Sequence, residues 1–192
     1  MRDSGSPRVW GARPAELADS YPCDDLLGPD AEPWIRAVTV RADAATVFRW
    51  LCQLKVAPYS YDSLDNFGRR SPRRLTPGAE VLEKGQRVMT IFELVSFERD
   101  RHLTLLLTRA WAIRAFGRFA LTYAVVPEGE ESCRLLVKMV VGRRPGALGG
   151  PRLKMMAWGD LLMMRRQLLT LRDLAEGRGQ VKGVRPPTGG GN

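Results

Sequence analysis

Apolar residues recur at three- and four-residue steps near the end of this chain and at every second position through its middle. From Pro151 to Glu176 (PRLKMMAWGDLLMMRRQLLTLRDLAE), Ala157, Leu161, Met164, Leu168, Leu171 and Ala175 share one face of a predicted helix. Met155, Trp158, Leu162 and Leu169 form a second apolar stripe, set apart from the first by Arg165 and Arg172. A helix apolar on two sides predicts enclosure on two sides. At ~1.5 Å per residue it would run roughly 39 Å, enough to cross a small domain. Gly159 lowers helix propensity by ~1 kcal/mol relative to Ala, so its presence implies close approach of a backbone or ligand.

Between Ala79 and Gly142 the period falls to two. Arg87–Glu98, Arg101–Arg109, Arg118–Pro127 and Ser132–Gly142 each predict a strand, and Ala79–Lys84 a weaker one. In the last full strand Cys133, Leu135, Val137, Met139 and Val141 face one way. Arg134 and Lys138 face the other, which predicts a sheet with one wet face. Arg99–Asp100 and Glu128–Glu131 read as hairpin turns. Upstream, Trp34–Arg41 alternates as a first strand and Asp43 stands where an N-cap belongs. Val47, Trp50, Leu51 and Leu54 then make a short amphipathic helix that stops before Pro58. Tyr61–Phe67 reads as one or two further turns closed by Gly68.

The order is strand, two short helices, antiparallel strands and one long C-terminal helix. It predicts an α+β domain in which a curved sheet wraps the helix and leaves a cavity beside it. Residues 1–20 are expected as a flexible leader, 21–177 as the domain and 178–192 as a disordered tail. Tyr21, Leu26 and Leu27 offer apolar anchors, so Tyr21–Pro33 is expected to lie along the domain as a strap.

Charge is unevenly spread. The chain of 192 residues carries a net +9, but residues 1–33 hold three arginines against seven acids, or −4, which leaves +13 on the rest. A basic body of this kind favours anionic lipid or nucleic acid through its long-range field. The basic residues are not interleaved with an aromatic stacking platform, so nucleic acid is not expected as a partner. Cys23, Cys52 and Cys133 fit no zinc or CxxC spacing and are expected as reduced thiols. The N-terminus lacks an apolar run of signal length, and a cytoplasmic location is expected.

LCQLKVAPYSYDSLDNFGRRSPR (Leu51–Arg73), with PGAEVLEKGQRVMTIFELVSFERDRHLTL (Pro77–Leu105), resembles bacterial members of the SRPBCC superfamily. These are the START-like, helix-grip (Bet v 1-like) proteins often labelled polyketide cyclase/dehydrase or lipid transport. The resemblance runs from about Tyr21 to Gly177 and takes in WGDLLMMRRQL of the last helix. It implies a deep, mostly apolar cavity between a concave sheet and that helix. It carries over no catalytic residue, because lipid carriers, hormone receptors, aromatases and cyclases in the superfamily share no catalytic motif.

The expected ligand is small and largely apolar: a lipid, a polyketide or another aromatic. Trp50, Leu54, Tyr59, Tyr61, Asp65 and Met89 are its candidate contacts, with Trp158, Leu162 and Met163 from the last helix. The alternative is a cyclase- or aromatase-like reaction in the same cavity. Its candidate acid–base pair is Asp62 with Tyr61 or Tyr59, since a carboxyl facing an apolar cavity rises toward the useful range. Asp62 capping its own turn is the competing reading. His102 alone, without a GxSxG elbow, supports no triad, and the absence of Walker and GxGxxG loops argues against a cofactor. No metal site is expected. Trp111 and Phe116, flanked by Arg109, Arg114 and Arg118, offer a peripheral membrane contact, with an extended hairpin packing on the last helix as the other reading.

Overall fold

Alternation and helical periodicity meet on two faces of one sheet. In the computed structural model the described residues are 6–60, 70–142 and 149–178. Their strands are β1 (Val9–Trp10), β2 (Glu32–Val40), β3 (Arg87–Val88), β4 (Phe92–Glu98), β5 (His102–Leu107), β6 (Phe119–Pro127) and β7 (Cys133–Val141). Their helices are α1 (Pro14–Ala18), α2 (Ala44–Cys52), α3 (Ala110–Phe116) and α4 (Gly149–Ala175). Among the described residues the strands make one curved sheet in the order β1-β2-β7-β6-β5-β4-β3. Every pairing is antiparallel except β1 with β2.

The inner face follows from the register. Trp34 lies opposite Met139, and Leu121 lies opposite Met139 from the other side. These residues, with Leu94, Leu105, Leu135 and Val137, pack against Val47 and Leu51 of α2 and against Ala157, Leu168 and Leu171 of α4. Burying such side chains at ~25 cal/mol per Å² supplies the main drive for closing the sheet over the helix. Asp43 caps α2 as its position predicts, accepting from the Thr46 amide at 2.8 Å. A curved antiparallel sheet wrapped around a long C-terminal helix is the helix-grip arrangement, as in START-like and Bet v 1-like proteins.

Four local expectations are corrected. Arg87–Glu98 is two strands, not one, because Met89 and Thr90 take φ of 46° and 66° and turn the chain between them. Ala79–Lys84 forms turns instead of a strand. RAWAIRAF, between β5 and β6, is the helix α3 and not an extended hairpin. Tyr61–Phe67 lies outside the described residues.

The fourth concerns the leader and the wet face together. From residue 6 the expected flexible leader is built into the fold: β1 pairs with β2, and α1 crosses the outer face of the sheet. Gly11 permits this approach, since a Cβ there would run into the Ala37 carbonyl oxygen. Tyr21 and Cys23 then pack with Ala37, Ala120, Ala124, Leu136 and Val140 of the outer face. Arg134 and Lys138, expected in water, are buried beneath this strap. Arg134 donates to both carboxylate oxygens of Glu16, at 2.6 and 2.8 Å, and Lys138 donates to Asp24 at 2.8 Å. The acidic leader is therefore the counter-charge of the basic sheet, which a reading of local composition does not reveal.

Candidate functional site

The buried face of α4 is not wholly apolar. Asp160, Met164 and Gln167 stand at i, i+4 and i+7, which puts them on one line of the helix directed at the sheet. Opposite them the inner face of the sheet carries two polar side chains among its apolar ones. Arg36 lies in the alternation Trp34, Arg36, Val38, Val40, and Tyr123 lies between Leu121 and Val125. Arg36 and Tyr123 both register against Val137, so they flank the same position of β7.

Two close hydrogen bonds join helix and sheet here, and the Tyr123 hydroxyl also reaches Met164 Sδ at 3.7 Å. Arg36 Nη2 donates to Asp160 Oδ2 at 2.8 Å, and the Arg36 side chain is 1% exposed. Its other donors meet the Pro7 and Arg8 carbonyls of the strap at 2.7 and 2.6 Å, while Nε has no hydrogen-bond partner. Tyr123 donates to Gln167 Oε1 at 2.5 Å, and Gln167 Nε2 donates to the Pro58 carbonyl at 2.5 Å. The second chain of contacts ties α4 to the segment that follows α2.

Electrostatics distinguishes these groups. Burial pushes the Asp160 carboxyl up, to about 6, against the downward pull of Arg36. Burial likewise lowers the Arg36 guanidinium, which Asp160 opposes. The Tyr123 hydroxyl is driven far up by burial and remains neutral. A carboxyl poised near neutrality beside a fixed cation can hold or give up a proton at working pH, which is a recurrent property of functional sites. Among the described residues no group of three or more His, Cys, Asp or Glu side chains could hold a metal ion.

Of the candidates read from sequence, Trp50, Leu54, Tyr59 and Met89 are brought together. Trp50 and Tyr59 meet edge to face at 6.3 Å, and the Met89 amide donates to the Leu54 carbonyl at 3.2 Å. Gln167 Nε2 also reaches Met89 Sδ at 3.7 Å. Tyr59 is 1% exposed and takes φ of 56°, a left-handed conformation that a non-glycine residue adopts at a cost of ~1 kcal/mol or more. Tyr61, Asp62 and Asp65 lie outside the described residues.

Trp158, Leu162 and Met163 are corrected. They are 48%, 56% and 39% exposed, Trp158 and Leu162 on the side of α4 turned away from the sheet and Met163 on its flank. Residues 158 and 162 lie more than a quarter-turn away from the Met164–Leu168–Leu171 line, and the sheet and α2 cover only that line. The second apolar stripe is therefore not enclosed by the described chain. Gly159 follows the same pattern: a Cβ there would meet nothing within 4 Å, so no described backbone presses on it. Elsewhere, a groove of about 300 Å³ opens between Phe48, Glu80, Val81 and Leu82 and the end of β4, at Phe97 and Arg99.

Asp160, Gln167, Arg36 and Tyr123 were not singled out by sequence reasoning. A signal existed: Asp160 and Gln167 fall inside the apolar arc of a 3.6-residue period, and Arg36 falls on the inward phase of an alternating strand.

No family model matches the chain. No curated protein matches its sequence either. Among solved structures, a protein from Thermobifida fusca shares 16% identity over 77% of this chain and 95% of its own, at a TM-score of 0.51. A protein from Mesorhizobium loti shares 16% identity over 78% of this chain and all (100%) of its own, at 0.49. An aromatase/cyclase from Streptomyces sp. R1128 shares 17% identity over 80% of this chain and 98% of its own, at 0.49. At these identities the likeness is one of fold alone, the helix-grip arrangement described above.

Proposed function

We propose that this protein binds a small, largely apolar molecule, such as a lipid, a polyketide or another aromatic, between the inner face of the sheet and α4. The observation that carries this reading is the polar line Arg36–Asp160 and Tyr123–Gln167 inside an otherwise apolar interface. Sites for such ligands combine apolar walls with a few placed polar groups that set orientation. Trp50, Leu54, Tyr59 and Met89 supply the apolar wall beside Gln167, and Asp65 and Tyr61 remain proposed contacts. Trp111 and Phe116, exposed at α3 with Arg114 and Arg118 beside them, would give a peripheral contact with membrane.

Native mass spectrometry of the purified full-length protein tests the binding reading. A co-purifying apolar molecule is expected, with occupancy lowered about tenfold by Tyr123→Phe combined with Gln167→Leu. A protein that arrives empty and takes up no fatty acid or aromatic probe would end it.

A second reading, a cyclase- or aromatase-like reaction, is favoured by the Asp160 carboxyl near neutrality. An ionised carboxylate would take a proton from a methylene between two carbonyls. The resulting carbanion would attack a ketone carbon to form the new C–C bond, and the alkoxide would recover a proton before water leaves. Asp62 with Tyr61 or Tyr59 is the other proposed pair. Cyclisation of a supplied poly-β-ketone mimic that survives Asp62→Asn but fails with Asp160→Asn would select Asp160. The reverse pattern would select Asp62.

A further inference from the structure

The outer face of α4 is apolar where the described chain leaves it bare. Met155 is 70% exposed, and with Trp158 and Leu162 it forms a strip along one side of the first half of the helix. Lys154, Arg165 and Arg166, all exposed, border the strip, and Arg165 also lies over the Trp10 ring at 5.5 Å. The acid of this stretch, Asp160, is turned inward onto Arg36 and does not neutralise them. Large apolar side chains at helical spacing in water are unfavourable unless something covers them.

We infer that this face is a docking surface for an anionic lipid bilayer, with α4 lying in the plane of the headgroups. A tryptophan and long aliphatic side chains flanked by lysine and arginine suit the boundary between headgroups and acyl chains, where the cations meet lipid phosphates. Charge argues against the other obvious cover, a second copy of this chain. An antiparallel two-fold pairing centred between Trp158 and Leu162 would set Lys154 of one helix beside Arg165 and Arg166 of the other. A parallel pairing would set the two arginines against themselves. Both juxtapose like charges, whereas an anionic surface satisfies all three. The inference does not depend on what the sheet and α4 enclose, so an empty interior would leave it standing.

Flotation of the full-length protein with vesicles tests it. Vesicles of phosphatidylcholine containing phosphatidylserine should carry at least about ten times more protein than phosphatidylcholine alone, and high salt should reverse much of this. Trp158→Gln with Leu162→Gln should cut recovery about tenfold, and Met155→Gln alone about threefold, both with an unchanged circular dichroism spectrum. Arg165→Gln with Arg166→Gln should cut recovery on anionic vesicles by about tenfold and leave neutral vesicles unaffected. Recovery within twofold of the parent for the apolar variants, or no flotation of the parent protein, would overturn the inference. A parent that elutes as a dimer and becomes monomeric on Leu162→Gln would overturn it in favour of a second copy.

Discussion

Each face of the sheet holds a buried arginine against a carboxylate from a distant part of the chain, and the two pairs behave oppositely. On the outer face Arg134 grips Glu16, and on the inner face Arg36 meets Asp160. The two carboxylate side chains have similar exposure, 12% and 15%. For Glu16 burial acts upward, yet two hydrogen bonds from Arg134 and one from the Arg13 amide outweigh it and hold the carboxyl below its ordinary value. Asp160 has one contact, at 2.8 Å, and is enclosed between sheet and helix instead of under a thin strap, so burial wins. Depth of burial and the number of donors together decide the sign, not the presence of an arginine. The outer pair is a clamp. The inner pair is held against its own preference, as sites kept for binding or chemistry often are.

Glu16→Gln should break the comparison most visibly. It leaves Arg134 buried without its counter-charge and should lower stability by about 3 kcal/mol at neutral pH, read from urea unfolding. Because the folded-state value of Glu16 is depressed, its contribution is present above about 4.5 and is lost as pH falls through that folded value.

Asp160→Asn should act with the opposite sign. The folded-state carboxyl is raised to about 6, so its stability contribution is complete below about 3.8 and is lost as pH rises through 6. The amide mimics the neutral acid and keeps an acceptor for Arg36. The variant should match the parent near pH 4 and exceed it by roughly 2–3 kcal/mol at pH 7.5. Equal losses from Asp160→Asn and Glu16→Gln at pH 7.5 would erase the distinction between the two faces.

Tyr123→Phe sharpens the inner side alone. It removes the donor to Gln167 Oε1 and should cost about 1–2 kcal/mol without the pH dependence of Asp160→Asn. Asp43→Ala removes an exposed cap on α2 and sets the scale for a contact belonging to neither face, about 1 kcal/mol by thermal unfolding.

Much of the fold was legible because its signals are local. The Asp43 cap, the alternation of β6 and β7 and the period of α4 each reside within a few turns of chain, and the structure places them within one or two residues of expectation. The resemblance of Leu51–Arg73 and Pro77–Leu105 to helix-grip proteins anticipated how these elements assemble. The candidate site was legible only in part. Trp50, Leu54, Tyr59 and Met89, proposed from aromatic and apolar density, do lie together in the fold, whereas Arg36 and Asp160 are separated by 124 residues and Arg134 and Glu16 by 118. No window of sequence contains both partners of either pair. The leader was misjudged for the same reason: its acids look solvated until Arg134 and Lys138 are seen beneath them.

Sequence alone determined the long helix α4 with its two apolar stripes, the capped α2 and the strands β2, β5, β6 and β7. Only the tertiary structure decided which stripe the sheet covers, which charges are paired out of water, and that among the described residues Asp160 carries a raised carboxyl. The physical reason is range. Backbone preference and side-chain period act over a few residues, but desolvation and ion pairing depend on neighbours that folding brings from the far end of the chain.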